Sequence, residues 1–382
     1  MGQRVLFPGS KPWPENGFFG DGISTIATVP ATIQAMYEAG YSGIYYDPDA
    51  PAMMRATAKE TGGAETADEA AHKFGWVNAG KGELILPFVA VLEIWPNAFP
   101  GMPQLEGTCV GHNGKNAGLV TCATESLCGL PDEVTGIVEG PPDVPADGEK
   151  TGVFSIAGIY SLRGHRGHGW DCGSCASVMV KRGGLLVAQN YPEHGIDLTR
   201  VTGRTENLTP SQIPDAVWAM ARARQFRTAA ECETAEAIRD ALAMGCGTQS
   251  CGGEGFSSTR NEHGIAKKSG SWAHAMAITG FDDRPWAHQT YGGPLLLIQN
   301  SWAKWNGGPR DIHESQKYVP AAKRAEWIAK GIVNPETGNI LIPHGSFWAR
   351  WSDVRRRSYY AMGGLSGWKR KPLRPLDKTG VG

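Results

Sequence analysis

The sequence has almost no net charge and no long run of charges of one sign. Its 37 Lys and Arg residues nearly balance 38 Asp and Glu residues, which leaves a formal net charge of -1. Proteins that bind nucleic acids or anionic membranes usually present a basic surface. We therefore expect no nucleic-acid partner and no membrane partner.

Long apolar runs are also missing. The chain has no stretch of about 18 apolar residues, and Pro8 and Gly9 lie where a signal peptide requires an apolar segment. These absences predict a protein without a transmembrane helix or signal peptide, and they favour a cytoplasmic location. The 51 glycines and 25 prolines among 382 residues stay below the roughly 25–30% of low-complexity chains, so a folded, loop-rich protein is expected.

Eight cysteines are present, at positions 109, 122, 128, 172, 175, 232, 246 and 251. In a short secreted chain an even count would indicate a set of disulfides. In a long chain with no export signal, free thiols, a metal site or catalysis are favoured instead. The cysteines are thus the first place to look for chemistry.

The order of predicted elements is helices first and strands later, which is typical of an α+β fold. Helices are predicted at residues 31–39, 50–61, from 66 onward, from 109 onward, and at 153–162, 175–181, 210–224, 230–244 and 321–330. Strands are predicted at residues 83–95, 273–281, 294–298 and 346–351. A segment rich in proline and glycine at 96–103 predicts a domain boundary near residue 98, and residues 140–148 predict a loop.

Four segments carry residue types that suit acyl transfer. They are Gln104 to His112, Ser271 to Ala275, Leu296 to Trp302 and Gly345 to Trp348. Their order of glutamine, cysteine, histidine and asparagine resembles the papain-like cysteine peptidases, especially the divergent bacterial and viral branch in which a Gly-Ser/Thr-Cys turn opens the central helix. The resemblance covers residues 98–360 and implies a two-lobed fold, with a helical lobe and a β-barrel-like lobe.

The resemblance implies a role for each of five residues. Cys109 is the nucleophile, activated by the start of a helix and by His274, and Asn300 holds the histidine in one orientation. Gln104 joins the Cys109 amide in an oxyanion hole, where one donor contributes about 2.7–4 kcal/mol. Trp302 shields the histidine–asparagine hydrogen bond from water. No cofactor and no metal are expected for this chemistry.

Cys175 is a competing nucleophile. The segment Cys172-Gly173-Ser174-Cys175 matches a local signature of papain-like enzymes, in which histidine and asparagine follow the cysteine by about 130–150 residues. Here they follow Cys109 by 165 and 191 residues, and Cys175 by 99 and 125. The spacings from Cys109 exceed those of the signature, and surplus residues fit into surface loops at small entropic cost. The spacings from Cys175 are shorter than the signature, and a shortage would remove structural elements, so Cys109 is favoured.

Other uses of the cysteines stay open. Cys172 and Cys175 with Cys246 and Cys251 have spacings compatible with a structural zinc site, in which His165 or His168 could substitute. Disulfide formation or inert buried thiols are the plainer interpretation. A thioredoxin-like role would need a βαβ setting, which the sequence does not predict.

The sequence therefore predicts an extension at residues 1–98, a papain-like peptidase domain at 99–360 and a basic tail at 361–382. The predicted function is hydrolysis of peptide bonds in a peptide or protein substrate. The helix after Cys109 is unusually polar and contains several glycines, which suggests an alternative. In it, an inactive papain-like domain serves as a structural protein in an assembly such as a virus particle, with residues 1–98 and the tail as contact surfaces.

Overall fold

The computed structural model describes residues 66–99, 104, 107–127, 154–163, 169–182, 186–199, 208–222, 225–302 and 304–363, with two short paired strands, β1 at Lys11–Pro12 and β2 at Tyr41–Ser42. Several predictions from the sequence lie outside these residues. They are the helices at 31–39 and 50–61, the loop at 140–148, the tail from 364 onward, and His165 and His168.

The described chain contains ten α-helices and eleven strands. The α-helices are Ala67–Phe74 (α1), Phe88–Ile94 (α2), Cys109–Leu127 (α3), Ile156–Tyr160 (α4), Cys172–Lys181 (α5), Asp215–Arg222 (α6), Ala235–Ala243 (α7), Pro285–Tyr291 (α8), Arg324–Ala329 (α9) and Trp351–Val354 (α10). The further strands are Leu84–Ile85 (β3), Asn190–Tyr191 (β4), Ile196–Asp197 (β5), Ala229–Glu231 (β6), Thr248–Arg260 (β7), Ala266–Asp282 (β8), Leu295–Gln299 (β9), Ser346–Arg350 (β10) and Ser358–Met362 (β11).

A seven-stranded antiparallel sheet forms the centre of the molecule. Its strand order is β10-β9-β8-β7-β11-β6, and β3 pairs with the end of β8. Within the described ranges β10 and β6 lie at the two ends and do not pair with each other, so the sheet is open. The expected β-barrel-like lobe is therefore a wrong prediction, although the α+β class is correct.

Apolar residues alternate between the two faces of this sheet. In β9, Leu295 and Leu297 pack in one buried cluster with α2, α3 and α5, whereas Leu296 and Ile298 pack in a second cluster with α1 and α7. Because successive side chains of a strand point to opposite faces, helices cover the sheet on both sides. A strand buried on both faces reads as a continuous apolar run, which explains the pattern of β9.

Helix α3 lies at the centre of the helical layer. Every residue from Cys109 to Glu125 is buried, and the helix packs against β8, α2 and α4. Its glycines permit close approach: a Cβ at Gly111 would lie 2.9 Å from a methyl carbon of Ile156. Packing of neighbouring elements therefore compensates the low helix propensity of these residues.

Two predictions near the start of the described chain had different outcomes. Helix α1 is confirmed, and its N-terminus has a capping box between Thr66 and Glu69. Residues 83–95 form only a two-residue strand followed by α2, so the prediction of one or two strands is wrong there. Residues Phe88 to Glu93 are all buried, and a short helix buried on every side has the same continuous apolar pattern as a buried strand.

The residues before position 98 pack into the same body as those after it. Glu93 of α2 accepts hydrogen bonds from Trp327 Nε1 at 2.6 Å and from Lys323, both in the segment between β9 and β10. The amide of Asn78 donates to Asp240 of α7 at 2.7 Å. The domain boundary at 98 stays a prediction, but residues 66–98 are integrated with the sheet.

A search of the described residues finds no helix that combines the length and apolarity needed to cross a bilayer.

We expect Gly247→Ala to destabilise the protein by at least about 2 kcal/mol. A Cβ at position 247 would lie 2.1 Å from the backbone oxygen of Ala117 in α3, and neither backbone can move without disturbing the contact of helix and sheet. Urea unfolding would measure the change. Gly293→Ala is the matched control, because nothing lies within 4 Å of its added Cβ, and its unfolding midpoint should stay unchanged.

Candidate active site

Cys109 is the first residue of α3. The amides of Gly111 and His112 donate to the carbonyl oxygen of Thr108 at 2.9 and 3.2 Å, which closes the first turn directly after Thr108. The thiol thus lies at the positive end of a 19-residue helix. Aligned peptide dipoles favour an anion at this end, so the position suits a thiolate.

His274 and Asn300 form a buried hydrogen bond. His274 lies in β8, and Asn300 directly follows the neighbouring strand β9; His274 Nε2 and Asn300 Oδ1 are 2.9 Å apart. The amide of Ser301 also donates to Asn300 Oδ1, at 2.7 Å. Since an amide N–H can only donate, the shared atom is the oxygen, and His274 Nε2 must carry a proton. The other ring nitrogen, Nδ1, is then the basic one in the neutral imidazole.

Trp302 covers this pair. Its ring stacks on the ring of His274, with centroids 4.7 Å apart and an angle of 28° between planes. Trp272 lies against Trp302 at a centroid distance of 4.8 Å. Both tryptophans are buried, so the histidine and asparagine are enclosed by apolar rings on this side. Trp302 therefore occupies the position that the sequence predicts for a shield, and Trp272 adds to it.

Gln104 is placed beside the same strand end. The backbone N–H of Gln104 donates to the carbonyl oxygen of Ser301 at 2.8 Å, and the side-chain Oε1 of Gln104 accepts from the Ser301 hydroxyl at 2.7 Å. This second bond identifies which atom of the side-chain amide is the oxygen. The donor atom, Nε2, is therefore the one that does not face the Ser301 hydroxyl. Ser301 thus links Gln104 to Asn300, and Asn300 in turn bonds to His274.

Burial governs the charge of the histidine. Removal from water lowers the pKa of His274 to about 3, with smaller contributions in the same direction from Arg357 and His112; the hydrogen bond with Asn300 acts in the opposite direction. At neutral pH the resting imidazole is therefore uncharged and able to accept a proton. A thiolate formed nearby would stabilise the resulting imidazolium.

The sequence analysis missed Arg357. This residue is fully buried behind β8, and its Nη2 donates to the carbonyl oxygen of His274 at 2.6 Å. In the sequence it follows Arg355 and Arg356, and a run of three arginines is typical of a solvated surface. Only its packing distinguishes it from the other two.

Cys175, the competing nucleophile, lies inside α5. Its Sγ is 3.8 Å from the Met179 sulfur. Burial raises the pKa of the Cys175 thiol well above its usual value, and the nearby Asp171 carboxylate adds to this effect. A thiol that stays protonated is a poor nucleophile. The raised pKa therefore makes Cys175 a poor candidate for the nucleophile.

Cys172 and Cys251 form a disulfide that joins α5 to β7. The sequence analysis left a disulfide open for these cysteines, beside free thiols and zinc. The bond removes two of the four ligands of the zinc site considered above. In the part of the chain that the structure describes, no group of three or more potential metal ligands is found. The spacing of two cysteines in a CxxC segment misled here, because only one of them takes part in the disulfide.

No protein-family model and no curated protein matches the chain. Similar solved structures include xylellain, a cysteine protease from Xylella fastidiosa, at 13% identity and a TM-score of 0.37, covering 72% of this chain and 88% of that one. They also include digestive procathepsin L 3 from the larval midgut of Tenebrio molitor, at 10% identity and a TM-score of 0.34, covering 89% and 99%. A third is procathepsin B S9 from Trypanosoma congolense, at 12% identity and a TM-score of 0.33, covering 71% and 75%.

Proposed function

We propose that this protein is a cysteine peptidase of the papain-like type, with Cys109 as the nucleophile and His274 as the base. The observation that carries the proposal is the buried hydrogen bond between His274 Nε2 and Asn300 Oδ1, covered by Trp302. It fixes one tautomer of a histidine on β8, the strand against which the helix of Cys109 packs. In this tautomer Nδ1 is the basic nitrogen of the neutral ring.

The proposed reaction uses each of these groups in turn. Nδ1 of His274 takes the proton of the Cys109 thiol, and the thiolate attacks the carbonyl carbon of a peptide bond. The oxygen becomes an anion, stabilised by the Gln104 amide and the Cys109 backbone N–H. The imidazolium then donates its proton to the departing amine. Water, activated by the same histidine, releases the acid product and restores the thiol.

The substrate class is a peptide or protein. The proposed steps use side chains and one backbone N–H of this chain, an amide bond and one water molecule. Contacts with assembly partners through residues 1–98 and the basic tail stay hypotheses, as does location in the cytoplasm or a virus particle.

The alternative of an inactive structural protein rests on the polar composition of α3, and packing explains part of that composition. Asn113 donates from Nδ2 to Cys172 Sγ at 3.1 Å, and Thr121 donates to the Met362 carbonyl oxygen at 3.3 Å. Polar residues of this helix therefore connect it to α5 and β11. Their presence does not favour loss of activity, so the peptidase is the function we propose.

We expect Cys109 to be alkylated selectively at pH 6. An ordinary thiol with a pKa near 8.5 is more than about 99% protonated at that pH, so only a stabilised thiolate reacts quickly with a trace of iodoacetamide. Cys175, Cys232 and Cys246 should stay unmodified, because burial raises the pKa of each. Peptide mass spectrometry would locate the label.

The control for the alkylation experiment is Cys175→Ser, which should label as fast as the wild type, whereas Cys109→Ala should lose the fast phase. Fast labelling at Cys175 would instead move the nucleophile to α5. Slow and uniform labelling of all free cysteines would contradict the peptidase proposal and favour the structural protein.

We expect Asn300→Ala to reduce kcat/KM for a fluorescent casein substrate by about 10²-fold, within the range assigned to acid–base catalysis. The substitution removes the acceptor that fixes the His274 tautomer but leaves the thiol in place. The matched control is Asn334→Ala, which removes another side-chain amide, one bonded to Asp311 in the segment between β9 and β10. Equal losses in the two variants would show a general effect on folding instead.

A further inference from the structure

Arg357 binds two strands of the sheet around the proposed site and directly precedes a third. Besides its bond to the His274 carbonyl oxygen, its Nε donates to the Ser250 hydroxyl at 2.8 Å, and its Nη1 lies 3.4 Å from Glu254 Oε2. Ser250 and Glu254 belong to β7, His274 belongs to β8, and Arg357 directly precedes β11. One guanidinium therefore fixes the local arrangement of neighbouring strands at the position of the histidine.

The sheet provides space for this side chain at Gly252. Gly252 is the residue of β7 that pairs with His274. A Cβ at this position would lie 2.4 Å from Cγ of Arg357 and 2.7 Å from Glu254 Oε2. Any other residue at position 252 would displace the guanidinium from behind the histidine.

The guanidinium is fully enclosed, and its counterion, Glu254, contacts it only through a long hydrogen bond of 3.4 Å. The Arg357 side chain has 0% exposure and that of Glu254 has 10%. Burying a cation is costly unless it is closely paired, and the 3.4 Å separation from Glu254 is long for a charge-assisted hydrogen bond. Positive potential therefore extends from Arg357 to other groups around it.

Charged and titratable groups face Arg357 from each element packed around it. Burial lowers the pKa of Arg357, while Glu254 of β7, Tyr359 of β11 and Cys109 of α3 act in the opposite direction. Coupling between two charges is mutual, so the cation favours a thiolate at Cys109. It also lowers the pKa of His274, as does His112 of α3.

We propose that Arg357 is a positioning residue for the thiol and the histidine: it anchors the main chain of His274 and supplies a buried positive charge that favours the anionic form of Cys109. This inference rests on the proposed function, because it requires Cys109 and His274 as the reacting pair. In this proposal one buried arginine adds to the activation of the Cys109 thiol by the helix N-terminus and the imidazolium.

The test is the pH dependence of Cys109 alkylation by iodoacetamide, followed by mass spectrometry of the labelled peptide. In Arg357→Met the midpoint of the profile should rise by about one pH unit, the scale expected for losing one nearby charge. In Arg357→Lys the charge is kept, so the midpoint should return most of the way to the wild-type value. A merely structural role would not produce this difference between methionine and lysine.

A second variant, with an expected shift of the midpoint in the opposite direction, provides a test if a substitution at Arg357 prevents folding. Glu254→Gln removes the counterion but leaves the guanidinium, so the midpoint should fall. The matched control is Asp353→Asn, which removes a carboxylate paired with exposed Arg350, and its midpoint should not change. Circular dichroism would verify that each protein is folded.

The outcomes separate the two proposals. Fast labelling of wild-type Cys109 with an unchanged midpoint in folded Arg357→Met or in Glu254→Gln overturns the role of Arg357 and leaves the peptidase proposal intact. A shift in the same direction for Arg357→Met and Glu254→Gln also overturns it. Absence of fast labelling in the wild-type protein overturns the proposed function, and the role of Arg357 with it.

Discussion

The contact between α3 and the antiparallel sheet is the constraint on which the rest of the structure depends. The helix is buried along nearly its whole length, and close packing against β7 requires glycine at position 247. Protein interiors are packed as densely as organic crystals, so a shift of α3 cannot be absorbed locally. The same contact joins the helix that begins at Cys109 to the strand that carries His274.

Part of this arrangement could be predicted from residues close together in sequence. The capping residues of α1, the start of α3 and the strands β8 and β9 have local signals, and the segment Asn300-Ser301-Trp302 indicated a partner for His274. Predictions failed where the outcome depends on distant contacts. Helix α2 has no polar face that would distinguish it from a buried strand in the sequence. Whether the sheet is open or closed depends on which strands pair at its two edges.

Arg357 and the disulfide show why the remainder of the site could not be predicted. Arg357 lies in a run of three arginines, and its local sequence does not distinguish it from the other two. The space for its side chain depends on Gly252, which belongs to another strand. Similarly, Cys172 pairs with Cys251, 79 residues away, while its neighbour Cys175 stays a thiol. Such pairings are decided by the three-dimensional approach of elements.

The disulfide gives the molecule two sulfur chemistries with opposite requirements. Cys251 directly precedes Gly252, the strand partner of His274, so the disulfide supports a strand of the candidate site, whereas the proposed nucleophile, Cys109, requires a reduced thiol. Strong reductants would restore a damaged nucleophile but also attack the link. Both half-cystines are buried, and access controls the rate of thiol exchange. The protein should therefore tolerate mild reduction and lose its alignment of helix and strand only under conditions that open the fold.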